Sequence, residues 1–137
     1  MLSPIERMRV FQLELDDLEH YLSKLSPESL ISASACECWS VADVVAHMAS
    51  AFESYTGSII RGLRGDSSAS PGRPDPSTWS TASSAERVLR AEEAAHRVVT
   101  YRESLGDCLL PTLHTAVEGF NQLLAGMGTQ DWYKLCY

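Results

Sequence analysis

The sequence is poor in positive charge, in long apolar runs and in cysteine. Lys and Arg number 11 against 18 Asp and Glu, which leaves a net charge of −7. A nucleic-acid surface gains affinity by neutralising phosphates with basic side chains, so this class of partner is excluded. The longest basic cluster, Arg61 to Arg64, holds two charges. No apolar run approaches the roughly 18 residues that a membrane span needs. The opening MLSPIERMRV has an early acidic residue and no apolar leader, so the expected compartment is the cytoplasm. The 4 cysteines, Cys36, Cys38, Cys108 and Cys136, are few for a disulfide framework and are expected to be reduced. Cys36 and Cys38 have one residue between them, tighter than the usual zinc-knuckle spacing. There is no Gly-rich phosphate loop, no G-x-S-x-G elbow and no Cys-His pair with a known local signature.

What is present is one domain's worth of chain. The 137 residues are 45% hydrophobic, enough for a single core and too apolar for a disordered chain. Ser3-Pro4-Ile5-Glu6 is a helix start with a cap, a proline at the first position and a capping-box carboxylate. Met8, Phe11, Leu15, Leu18, Leu22 and Leu25 follow at helical spacing, and Ser26-Pro27 ends the run near Leu25. One further helical turn is expected after Pro27. A second helix opens at Trp39-Ser40-Val41-Ala42-Asp43, with Ser40 as cap, Asp43 as its box partner and Trp39 with Val44 as a hydrophobic staple. Its apolar face reads Val41, Val44, Val45, Met48, Phe52, Tyr55, Ile59 and Leu63, and it ends near Gly62 or Gly65.

Residues 65 to 82 are dominated by Pro, Gly and Ser and predict a long surface loop. A third helix is expected from about Ser84 to Glu103, with Val88, Ala91, Ala95, Val98 and Val99 inward. After a break at Leu105-Gly106-Asp107, Asp107 is placed to cap a helix whose stripe is Leu110, Leu113, Val117, Phe120, Leu124 and Met127. One long kinked helix from Ser84 to Gly126 is the alternative. With no convincing strand, the predicted fold is a single all-α domain over residues 1–137. It is an antiparallel helical bundle with a long loop between its second and third main helices.

Trp39-Ser40-Val41-Ala42-Asp43-Val44-Val45-Ala46-His47-Met48 carries a resemblance. With the Leu-rich first helix, Leu25-Ser26-Pro27-Glu28, a cysteine just before Trp39, Tyr101 to Asp107 and Asp131-Trp132, it resembles the N-terminal, metal-binding domain of mycothiol-dependent maleylpyruvate isomerases. That family lies within the DinB-like superfamily. The resemblance implies a four-helix bundle holding one divalent metal, zinc by expectation, through three histidines. His47 matches the ligand on the second helix; the other two form a His-x-x-x-His pair on the fourth. His20, His96 and His114 contain no such pair, and the chain stops at Leu135-Cys136-Tyr137, where that helix should begin. It therefore reads as a C-terminally short member lacking the fourth helix.

In the family the metal converts a low-molecular-weight thiol such as mycothiol to its thiolate, which adds to an electrophilic substrate. If active, the chain would then be a metal- and thiol-dependent isomerase or transferase. The alternative is a non-catalytic helical module for interaction or dimerisation that has lost the metal site. No catalytic residue is assigned. His47 falls about 115° from the centre of its helix's apolar stripe, at the edge of the core. His114, Cys108 and Cys36 are the side chains that offer substitute ligands. His20 and His96 read as solvated positions beside charged neighbours, and Glu53 as solvated opposite the stripe. The apolar stripes, with the aromatic tail Trp132 to Tyr137, predict a homodimer whose facing grooves complete each other's cores, or else an aggregation-prone monomer.

Overall fold

A computed structural model describes residues 3–68 and 81–134. Most of the loop expected between 65 and 82 lies outside the described residues, as do Leu135, Cys136 and Tyr137. The described chain forms α1 (Pro4–Leu22), α2 (Pro27–Ile31), α3 (Val41–Leu63), α4 (Ser84–Leu105) and α5 (Leu109–Ala125), with 3-10 turns at Gly106–Cys108 and Asp131–Tyr133. Among these residues there is no strand, only an isolated bridge between Ala33 and Ser40. No helix among them is long and apolar enough to cross a membrane.

The helix starts follow from local chemistry. Full capping boxes open α1 at Ser3 and Glu6, α3 at Ser40 and Asp43, and α4 at Ser83 and Glu86. In each box the cap hydroxyl accepts from an orphan backbone N–H, and the carboxylate accepts from the cap's own N–H. α5 differs: its cap position falls on Cys108, which makes no side-chain capping bond. Asp107 therefore does not cap it. The 3-10 turn intervenes, shifting the helix start two residues past Asp107. The break itself rests on Gly106, whose φ of +51° a side chain would resist. It divides the Ser84–Ala125 region into two helices and disposes of the single kinked one.

The core lies mainly between α3 and α5, with α1 and α4 on their flanks. Phe11, Phe52 and Phe120 bring α1, α3 and α5 together in one aromatic cluster, with ring centroids 5.4–6.1 Å apart. Of the last stripe, Leu113, Val117, Phe120 and Leu124 are buried as expected, while Leu110 and Met127 are half-buried and Leu109, outside the expected stripe, is buried instead. On α3 the buried face is broader and made of smaller residues: Ala42, Val45, Ala46, Ala49 and Phe52 are enclosed. Tyr55, assigned to that face, is 58% exposed. The reason is crowding, since α3 is packed on two sides and small side chains let the neighbouring helices approach.

Val88 is likewise exposed, and only Val98 of α4 is fully buried. Trp132, counted with the exposed tail, is half-buried against the core, while Tyr133 beside it is exposed. Four long helices are thus present among the described residues, the expected Ser84 helix being one of them.

Candidate functional site

Asp43 is the most constrained polar group near the start of α3. It is 5% exposed. Its Oδ2 accepts from the Ser40 amide at 2.9 Å and the Ser40 hydroxyl at 2.7 Å. Its Oδ1 accepts from Arg102 Nε at 2.9 Å, across 59 residues of sequence. Burial pushes this carboxyl up, but the Ser40 hydroxyl, the Arg102 guanidinium and the Ser40 amide together outweigh it and hold the pKa below its usual value. The expected cap is present; the ion pair to α4 is an additional role that the sequence did not disclose. Ser40→Ala should cost about 1 kcal/mol, the ordinary worth of a lost N-cap, read as a lower thermal midpoint.

A second polar tie joins the same two helices. Tyr101 Oη donates to Glu53, with both carboxylate oxygens at 3.1 Å. Burial, followed by the Glu53 hydrogen bond, raises the phenol's pKa. Glu53 is exposed as expected, yet its carboxylate is oriented by this bond. Beside it runs an open cleft of about 670 Å³ between α3 and α5. Glu53, Thr56, Gly57 and Ile60 form one wall; Pro111, Thr112, Thr115, Ala116 and Gly119 form the other, with Cys108 at the end of α5. Thr56 Oγ1 is buried without a hydrogen-bond partner among the described residues.

His47 is not part of this cleft. It lies six residues before Glu53, about 120° around the helix at 3.6 residues per turn. Its ring is exposed and sits 5.3 Å from the Trp39 ring, tilted by 51°. His114, on α5, is drawn elsewhere: its Nδ1 is 3.0 Å from Glu19 of α1, and its Nε2 is 4.0 Å from Glu118. His114 and Glu118 have the four-residue spacing of the family's histidine pair. The two carboxylates, however, face opposite nitrogens of one ring, so a single ion cannot take all three.

Cys36, Cys38 and Cys108 are exposed thiols, and His20 and His96 are exposed on α1 and α4. Among the described residues no three His, Cys, Asp or Glu side chains are grouped to hold a metal ion. The structure therefore does not bring His47 together with His114, Cys108 or Cys36, and these residues do not fit a three-ligand centre.

Sequence reasoning missed the Asp43–Arg102 and Glu53–Tyr101 ties because neither leaves a local signal. Tyr101 and Arg102 belong to the stretch that carries the resemblance, but nothing local names their partners until α4 is packed against α3. The model of one family, the mycothiol maleylpyruvate isomerase N-terminal domain, matches residues 11–133. No curated protein and no solved structure matches. With most of the chain covered and the helical bundle in place, the protein belongs to the mycothiol maleylpyruvate isomerase N-terminal domain family.

Proposed function

We propose that this domain binds a polar low-molecular-weight thiol of the mycothiol type in the α3–α5 cleft, as a binding domain and not as a complete metal-dependent catalyst. The observation that carries the proposal is the cleft itself, whose apolar walls meet a fixed carboxylate and threonine side chains. Small-molecule sites have this composition, with few polar groups set among apolar walls. Glu53, oriented by Tyr101, suits the hydroxyl donors of a polyol.

Calorimetric titration with mycothiol tests this. Gly119 has open space around the position a Cβ would take, so Gly119→Leu should fill the cleft without disturbing the helix. We expect binding to the native chain, its loss in Gly119→Leu, and about tenfold weaker binding in Glu53→Gln, the scale of one charge-assisted hydrogen bond. Equal affinity in all three proteins would overturn the proposal.

A second proposal gives His47 a weak, dialysable divalent-metal contact through its one imidazole, since no other donors are grouped with it among the described residues. Its exposed ring, at the position matching the family's ligand, favours it. One imidazole holds metal weakly. After zinc loading and dialysis, we expect much less than one ion per chain by elemental analysis, unchanged in His47→Ala. A stoichiometric ion lost in that variant would establish the metal site and sink the metal-free one.

Self-association is proposed on α1. That helix buries only Leu15 and Leu22 and leaves Ile5, Val10 and Leu13 at least half exposed. Sedimentation equilibrium at micromolar concentration should report a dimer that Val10→Lys with Leu13→Lys dissolves; a native monomer would refute it.

A further inference from the structure

We infer that Cys36 and Cys38 form a dithiol site that reduces low-molecular-weight disulfides, closing into a Cys36–Cys38 disulfide. This site is separate from the α3–α5 cleft and does not depend on what binds there.

The argument starts from reach. In an extended chain, residues two apart have Cα atoms about 6.6–7.2 Å apart. A disulfide needs about 4.4–6.8 Å. The ranges barely overlap, so a bend that shortens the spacing favours closure, and the bend is present. The Trp39 amide donates to the Cys36 carbonyl at 3.1 Å, closing a β-turn over Cys36-Glu37-Cys38-Trp39. Cys38 occupies the third position with φ +64°, the only described residue other than glycine in that left-handed region. Glycine or asparagine is the usual occupant of such a place. Here it carries a thiol, two residues from another.

The turn is also held at its base. The Ser34 amide donates to the Trp39 carbonyl at 2.9 Å, and the Cys36 amide donates to Ser34 Oγ at 3.0 Å. Trp39 is packed against the core. The pair is thus presented on a fixed loop, with both cysteines exposed to a bulky reagent. Among the described residues neither is committed to a disulfide or to a metal-binding group.

The reaction balances without a cofactor. The thiolate of one cysteine attacks a small disulfide, forming a mixed disulfide and releasing one thiol. The second cysteine's thiolate then attacks the protein sulfur of that mixed disulfide, releasing the second thiol. The small disulfide is reduced by two electrons, and the dithiol is oxidised by two.

The test uses the full chain with Cys108→Ser and Cys136→Ser, leaving only this pair. After treatment with oxidised glutathione at low micromolar protein, intact mass spectrometry should show the loss of two hydrogens and no retained glutathione. Adding Cys38→Gly, which suits the positive φ, should instead trap one glutathione on Cys36. Retained glutathione on the two-cysteine chain, covalent dimers or no reaction would each overturn the inference.

Discussion

Asp43→Ala is expected to lower the unfolding free energy by about 2–4 kcal/mol, more than an ordinary cap loss, because it removes a buried group serving two elements. The Ser40 amide and hydroxyl lose their acceptor, and Arg102 loses its cross-helix partner. Arg102→Ala should cost less, about 1–2 kcal/mol, since its side chain is one-third exposed and that screens the pair. A double-mutant cycle read by chemical denaturation should return a coupling of about 1 kcal/mol or more. Additive losses would show that the Asp43–Arg102 pair contributes no stability of its own.

The pH dependence has a definite sign. The Asp43 carboxyl is held below its ordinary value in the fold. Its contribution is therefore complete above the unfolded pKa of about 3.9, and is lost as pH falls from there through the folded value. Asp43→Asn should flatten the stability profile in that acid window and leave its slope near neutrality unchanged.

Leu113→Ala should be comparably damaging, at about 3–4 kcal/mol, or a thermal midpoint lowered by roughly 10–15 °C. Among the described residues Leu113 is the largest side chain enclosed almost completely, at 1% exposure, on the helix that forms most of the core with α3. Its removal leaves a cavity that rigid neighbours cannot fill. Val88→Ala on exposed α4 is the matched control, expected within about 0.5 kcal/mol of the native chain. Differential scanning calorimetry of the pair checks both numbers, and similar midpoints would mean that α5 is not the spine of the bundle.

Much of the fold was legible because its signals are local. Ser3, Ser40 and Glu6 announce helix starts within three residues, and Leu113, Val117, Phe120 and Leu124 declare the buried face of the last helix by spacing alone. What failed was non-local or combinatorial. Tyr55 and Val88 match their stripes in type, but whether a neighbour covers them depends on the packing of other helices. Asp107 looks like a cap, yet a 3-10 turn shifts the helix start. The cleft was invisible because it is an absence of bulk, at Gly57, Ala116 and Gly119, created only when α3 faces α5. His47 was recognisable from its motif, but no motif could say which donors the fold would place beside it.

The two polar ties have one more consequence. Both join α4 to α3 near the C-terminal end of α4, at Tyr101 and Arg102, and its buried anchor, Val98, lies at the same end. From Ser84 to Leu89 every residue is exposed. α4 is therefore built like a cantilever, fixed at its far end. Its backbone amides should exchange with deuterium along a gradient, fast near Val88 and slow from Val98 to Leu105, because opening the last turns breaks the two polar ties and the Val98 packing, whereas the residues from Ser84 to Leu89 are all exposed.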